Sequence, residues 1–131
     1  MNVAEIKKYL LGVGSGILSI FKEGRSGFIY LQQSADEFAP CLFELLKSKA
    51  TIKSYLEIGS AAGGTAFVFN HFFDLDSIVL IDDNELWQSS HRKEILKDVA
   101  YQEIIGRSDD GVVQNTVAGM DTLFDLLLLD A

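Results

Sequence analysis

The spacing of hydrophobic residues changes once along this chain. Before residue 50 they recur at helical intervals. Val3, Ile6 and Leu10 fall on one face of a predicted N-terminal helix, and Phe38 and Leu42 fall on one face of a second. We therefore interpret residues 1–50 as an N-terminal helical extension.

Glycine and polar residues divide this helical part. Gly24 to Gly27 predicts a turn. Ser34 to Glu37 has the S-x-x-E form of a capping box, in which the serine and glutamate side chains bind the unpaired amides of a helix start. The second helix is therefore predicted to begin there.

From Ser54 onward, short apolar runs alternate with amphipathic stretches. The predicted strands are Tyr55 to Ile58, Ile78 to Ile81, Tyr101 to Ile105 and Leu126 to Leu129. The predicted crossover helices are Ala66 to Phe73, Glu85 to Val99 and Asp110 to Ala118. Uninterrupted apolar runs are typical of strands covered on both faces. Under the right-handed crossover rule, this alternation predicts an α/β domain with a parallel sheet over residues 51–131.

Composition narrows the classes of partner. The chain has 131 residues, and its 11 Lys and Arg against 19 Asp and Glu give a net charge of -8. This charge disfavours general binding to nucleic acid or to an anionic membrane surface. The apolar stretch from Tyr9 to Phe21 is interrupted by glycines and is shorter than the ~20 residues that span a membrane. The single Cys41 cannot form an internal disulfide, so we expect a cytoplasmic protein.

The strongest functional signal follows the first predicted strand. Residues 55–65 read YLEIGSAAGGT, a strand, a glycine-rich turn and a helix start in succession. Gly59 permits a sharp turn, and small residues through Gly64 let a ligand approach the amides of the helix start. Asp82 and Asp83 follow the second strand, where an acidic side chain can accept both hydroxyls of a ribose. Capping a helix is the alternative role for Asp82.

Two kinds of nucleotide site compete for this loop. A dinucleotide site requires G-x-G-x-x-G, and Gly59 and Gly64 fit the first and last positions while Ala61 occupies the second. Glu57, two residues before the first glycine, is not part of that fingerprint. An NAD(P)- or nucleotide-binding enzyme stays open as an alternative.

The segment from Glu57 to Gly63 resembles the E/D-x-G-x-x-x-G opening of the class I S-adenosylmethionine-dependent methyltransferases. Ile105 to Asp110 and Phe124 to Ala131 are similar to later segments of the same family, the latter to the F-D-x-x-x-x-D-A/G strand of small-molecule O-methyltransferases and cephalosporin-hydroxylase-like members. The resemblance implies a Rossmann-like three-layer fold with strand order 3-2-1-4. Because three more strands follow in that family, we expect this chain to contain only the cofactor-binding half of the fold.

The resemblance also implies a binding site for S-adenosyl-L-methionine. It assigns Glu57 and the loop from Gly59 to Gly64 to the methionine portion, Asp82 to the ribose, and Asp130 to the methionyl amine. The full set of cofactor-binding residues is Glu57, Gly59, Ser60, Ala61, Gly63, Gly64, Asp82, Asp83, Ser108, Asp109 and Asp130, with Ser108 and Asp109 beside the adenine. Carboxylates suit a ligand that carries sulfonium and ammonium charges.

The resemblance implies methyl transfer to a small-molecule hydroxyl in the complete protein, but no residue stands out as the catalytic base. His71 and His91 are weak candidates, and Trp87 is a candidate to cover the adenine. Asp130 alone cannot hold a hard divalent cation, so no metal site is predicted. A non-catalytic cofactor-binding or interaction module is a further alternative. The unpaired edge of the fourth strand predicts either a homodimer through that edge or poor solubility.

Overall fold

The computed structural model of the protein describes residues 1–15, 29–48 and 51–130. The chain forms two compact units, Met1–Thr51 and Ile52–Ala131. The turn predicted over Gly24 to Gly27 lies outside the described residues. No helix in the described ranges is long and apolar enough to cross a membrane.

The first unit contains two helices that pack on each other, α1 (Val3–Gly12) and α2 (Ala35–Lys47). Ile6 and Leu10 of α1 are buried, as the helical spacing predicts. Phe38 and Leu42 are buried on α2. Both helices predicted for this part of the chain are therefore confirmed.

The prediction of a capping box at Ser34 is wrong, because the serine side chain does not make the predicted hydrogen bond. Ser34 is the residue before α2, but its side chain makes no capping bond. Its backbone carbonyl instead accepts hydrogen bonds from the amides of Glu37 and Phe38, at 3.1 and 2.8 Å. The helix start thus depends on ordinary backbone bonding, which any residue at this position can supply.

The second unit is an α/β domain. Its elements are β1 (Ser54–Ile58), α3 (Gly64–Phe73), β2 (Ser77–Asp82), a 3-10 helix (Trp87–His91), α4 (Arg92–Ile95), β3 (Gln102–Ile105), α5 (Gly111–Ala118) and β4 (Leu126–Leu129). The four strands form one parallel sheet in the order β3-β2-β1-β4. This confirms the predicted Rossmann-like fold class, including the strand order.

Helices cover the two faces of the sheet. Leu56 and Ile81 belong to an apolar cluster with Val113 of α5. On the other face, the ring of Tyr55 lies 5.0 Å from the ring of Phe69 on α3. Because successive side chains of a strand alternate between faces, α3 and α5 lie on opposite sides of β1.

Burial differs between the central and outer strands. β1 and β2 are buried along nearly their whole length. The outer strands β3 and β4 are half exposed, with Leu127 58% and Leu129 67% exposed. The expectation that all four apolar runs are covered on both faces is therefore wrong for β3 and β4, because each is an edge strand within the described residues. A homodimer through the β4 edge stays a prediction.

The long helix predicted over Glu85 to Val99 is also wrong. This stretch forms the 3-10 helix and then the four-residue α4. The hydroxyl of Ser90 donates to the carbonyl of Trp87, and that of Ser89 donates to Asp82. Serine side chains that bind nearby acceptors compete with regular helical bonding, and here they accompany the break.

The amino ends of β1 and β4 are joined by Asp125. Its Oδ2 accepts hydrogen bonds from the amides of Lys53 and Ser54, at 2.8 and 3.1 Å. The amide of Asp125 donates to Oγ of Ser54 at 2.9 Å. The two backbone hydrogen bonds hold the pKa of Asp125 below its ordinary value. This reciprocal pairing fixes where β4 begins relative to β1.

Candidate functional site

The predicted site residues of three adjacent strands meet at the carboxyl edge of the sheet. Glu57 lies near the end of β1, Asp82 ends β2, and Asp130 follows β4. The amide of Asp130 donates to the carbonyl of Ile58 at 2.9 Å, so the chain after β4 stays beside the end of β1. The strand register and alternation put the side chains of Glu57 and Asp82 on the α3 face. The strand order therefore gathers residues that are far apart in sequence.

Glu57 is the most deeply buried carboxyl group of this edge. It is 1% exposed, and the hydroxyl of Tyr55 donates to its Oε1. Burial raises its pKa to about 8, against the lowering effect of the Tyr55 hydrogen bond; the Asp130 charge also raises it. No ion pair to Glu57 occurs among the described residues. A ligand cation beside Glu57 would favour its ionised form.

The glycine-rich loop takes up backbone conformations that need glycine. Gly59 and Gly63 both have positive φ, +85° and +84°. The amide of Gly59 donates to the carbonyl of Ile81 at 2.8 Å, which ties the loop to β2. The first helical bond of α3 runs from Phe67 to the carbonyl of Gly63, so the preceding amides are directed toward the loop. The loop therefore has the geometry for close backbone approach by a ligand.

Small side chains of the loop are largely enclosed. Ser60 is 4% exposed, and its Oγ has no hydrogen-bond partner among the described residues. Gly64 is buried in the first turn of α3. Ala61 adopts a φ of +45°, which is uncommon for a residue with a side chain. A buried hydroxyl without a partner is costly unless a ligand or water satisfies it, so Ser60 fits a place in a binding site.

The carboxylate of Asp82 accepts hydrogen bonds from three other residues of the protein. Its Oδ2 accepts from Nη2 of Arg92 at 2.9 Å, from Oγ of Ser89 at 2.8 Å and from the amide of Asn84 at 3.1 Å. Asp83 is exposed and accepts a hydrogen bond from the amide of Glu85 at 3.0 Å. Both aspartates thus stabilise the turn after β2, and Asp82 alone is buried against the sheet.

The two residues predicted beside the adenine are exposed. Ser108 and Asp109 follow β3, at the outer side of the sheet. Asp109 accepts two hydrogen bonds from Arg107, at 3.0 and 3.2 Å, and this pairing lowers the pKa of Asp109. The structure does not bring these two residues into contact with the cluster at Glu57 and Asp82.

Arg92 is a residue of this site that the sequence interpretation missed. It lies within the stretch predicted as the crossover helix Glu85 to Val99 and was assigned no role there, yet its side chain is 2% exposed and ion-paired with Asp82 and Glu103. Glu103, a charged residue inside a predicted strand, was the only available signal, and a weak one, because its side chain is 34% exposed and water can solvate it. Arg92 is the first residue of α4, directly after the 3-10 helix that interrupts the predicted helix.

A cavity of about 460 Å³ opens in the segment after β2, lined by Asn84, Glu85, Leu86, Trp87, Ser89 and Ser90. Two of these residues, Asn84 and Ser89, hydrogen-bond to Asp82. Trp87 is 40% exposed, and its ring meets that of His91 edge-on, with centroids 5.7 Å apart. An exposed aromatic face beside a cavity can stack on a planar ring. His71, the other weak candidate for catalysis, lies exposed near the end of α3.

The described residues contain no group of three or more His, Cys, Asp or Glu side chains that could hold a metal ion.

No protein-family model matches the chain, and no curated protein matches it.

Proposed function

We propose that the chain binds S-adenosyl-L-methionine at the carboxyl edge of its sheet, as the cofactor-binding part of a class I methyltransferase. The observation that carries the proposal is Glu57, a fully enclosed carboxyl group without an ion-pair partner among the described residues, next to a glycine-rich turn. A binding site for a cation is a physical reason to keep an acidic group in such a position.

The residues around Glu57 match the chemistry of the ligand. The ammonium group of the methionine portion would be held by Glu57 with Asp130 nearby, and Ser60 offers a buried hydroxyl to the carboxylate of the same portion. The amides at the start of α3 favour that negative carboxylate. Asp82 would accept from the ribose, and the cavity beside Trp87 is large enough to admit a planar base.

The reaction we propose is methyl transfer to a small-molecule hydroxyl. When bound, S-adenosyl-L-methionine supplies a methyl group on a sulfonium, which a correctly placed nucleophile accepts with little covalent help. The residues of this chain hold and orient the cofactor. A nucleic acid or a membrane is a poor partner for a protein of this acidic charge.

Titration calorimetry with S-adenosylhomocysteine tests the proposal directly. We expect saturable binding by the wild type and at least about tenfold weaker binding by Glu57→Gln, because the variant loses the charge that pairs with the ammonium group. Asp121→Asn is the matched control, since Asp121 is an exposed carboxylate of the same unit, and it should bind as the wild type does. No binding by the wild type at millimolar ligand would refute the proposal.

Two further measurements separate the alternatives. Thermal stabilisation by NAD without a response to S-adenosylhomocysteine would select the dinucleotide enzyme. Tight cofactor binding without transfer of labelled methyl to any small molecule of a cell extract would select the non-catalytic module.

We also propose a cytoplasmic location. Cys41 is exposed on α2 and forms no disulfide within the described residues, and a reducing compartment preserves such a thiol. Cell fractionation with an antibody against the chain is the test, and recovery from an oxidising compartment would contradict the proposal.

A further inference from the structure

The guanidinium of Arg92 connects three segments at the carboxyl edge of the sheet. Its Nε donates to the carbonyl of Ala61 in the glycine-rich loop at 2.9 Å. Its Nη2 donates to Asp82 at 2.9 Å and to Oδ1 of Asn84 at 3.0 Å, and its Nη1 donates to Glu103 on β3 at 3.2 Å. A planar group with several fixed donors can hold three backbone segments in one arrangement.

The two carboxylate oxygens of Asp82 differ in the number of hydrogen bonds that they accept. Oδ2 receives three donors, from Arg92, Ser89 and the amide of Asn84. A carboxylate oxygen has about two lone-pair sites, so Oδ2 has no capacity left for a ligand. Among the described residues no donor reaches Oδ1. A ligand hydroxyl that approaches Asp82 would therefore find Oδ1 as its acceptor.

The same side chain supports the unusual backbone of the loop. Ala61 has positive φ, and its carbonyl is satisfied by Arg92. A Cβ at Gly63 would lie 3.4 Å from Cγ of Arg92, which shows how closely the Arg92 stem packs on the glycine turn. Arg92 thus sets the position of the loop relative to Asp82.

We propose that Arg92 is a positioning residue for the nucleoside end of the site: it occupies Oδ2 of Asp82 and fixes the Ala61 carbonyl, so that Oδ1 alone is presented to a ribose hydroxyl. The inference rests on the proposed function, because it needs a nucleoside ligand at Asp82. It differs from a purely structural role in one measurable respect. A residue that only stabilises the fold changes the amount of folded protein, whereas a positioning residue also changes how strongly the folded protein discriminates between a ligand with the hydroxyl and one without it.

The test compares ligands that differ by one hydroxyl. S-Adenosylhomocysteine and its 2′-deoxy and 3′-deoxy forms are titrated into the wild type, Arg92→Lys and Val68→Ala, with folding verified by circular dichroism. Val68→Ala is the stability control, because Val68 is buried on α3 and is not one of the residues that hydrogen-bond to Asp82. We expect the wild type to bind at least one deoxy form about tenfold or more weakly, which is the usual effect of one hydrogen bond to a charged group.

Arg92→Lys keeps the positive charge but not the fork of donors. We expect its discrimination between the hydroxyl and deoxy ligands to fall to about twofold, while Val68→Ala retains the wild-type ratio. Wild-type discrimination in Arg92→Lys would overturn the inference and leave the proposed function intact. Absence of S-adenosylhomocysteine binding by the wild type would overturn both.

A second variant covers the case in which Arg92→Lys does not fold. Asn84→Ala removes one anchor of the guanidinium and keeps the ion pair between Arg92 and Asp82. We expect a smaller change in the same direction, about threefold in the discrimination ratio. An unchanged ratio in a folded Asn84→Ala protein would then overturn the inference.

Discussion

Arg92 and Arg107 each pair with an aspartate at the carboxyl edge of the sheet, and the closest N–O distances are 2.9 and 3.0 Å. The Arg92 side chain is 2% exposed and that of Asp82 9%, whereas the side chains of Arg107 and Asp109 are 69% and 70% exposed. Water screens the outer pair and solvates each partner when the pair opens. At the inner pair, loss of one partner leaves a charge in an apolar setting. Burial, rather than distance, decides the energetic importance of these two contacts.

The largest expected effect comes from breaking the inner pair. Arg92→Met should lower the free energy of unfolding by about 3–5 kcal/mol, because Asp82 and Glu103 lose their buried counter-charge. Urea denaturation followed by circular dichroism measures this. A loss below about 1 kcal/mol would show that the buried network is energetically equivalent to an apolar contact.

Gly63→Ala perturbs the packing beneath Arg92 without removing a charge. The new Cβ would lie 2.7 Å from Cδ1 of Leu96, and the backbone φ of +84° disfavours a side chain. We expect a loss of about 1–3 kcal/mol in the free energy of unfolding. Gly111→Ala is the matched control, because a Cβ there meets no atom within 4 Å, and its stability should be unchanged or slightly higher. Equal losses of stability in the two variants would show that neither the contact with Leu96 nor the positive φ makes a side chain at residue 63 costly.

Glu57 is a buried acid that, unlike Asp82, has no guanidinium group of the described residues in contact with it. Its pKa is about 8 in the folded protein against an ordinary 4.5, so between these values the folded state holds a proton that the unfolded state has released. Stability from this group is complete below pH 4.5 and is lost as pH rises toward 8, with a slope of about 1.4 kcal/mol per pH unit. Denaturation of the wild type and Glu57→Gln across this range should give a difference with that slope. A difference independent of pH would contradict the raised pKa.

The smallest expected effect is at the outer pair. Arg107→Met should leave the urea midpoint unchanged within experimental error, because both partners are solvated in the folded and unfolded states. The same urea titration used for Arg92→Met measures it. If the outer variant lost as much stability as the inner one, burial could not be the deciding factor.

The hydrophobic pattern predicted the sheet but not this ion-pair network. Apolar runs such as Ile78 to Ile81 are local signals, and the strand order followed from the family resemblance. The inward turn of Arg92 occurs together with a broken helix, a serine that binds Asp82, and a glutamate on a different strand. Each of these is ambiguous in sequence, because serine and arginine on an amphipathic stretch usually face water. The carboxyl group of Glu57 was found because its position before the glycine turn is part of a recognisable motif.

The reciprocal contact between Asp125 and Ser54 has a consequence for the order in which the sheet is assembled. Ser54 pairs with Ser77 on one side, while its contact with Asp125 on the other spans 71 residues. Distant pairings contribute to slow folding, because the chain entropy of a long loop is lost before its contacts form. The β1–β2 pair can form while the chain is still being synthesised, but β4 can join only after the intervening strands and helices have left the ribosome. One edge of β1 therefore stays unpaired until β4 is available, and the contact with Asp125 forms when β4 pairs with that edge.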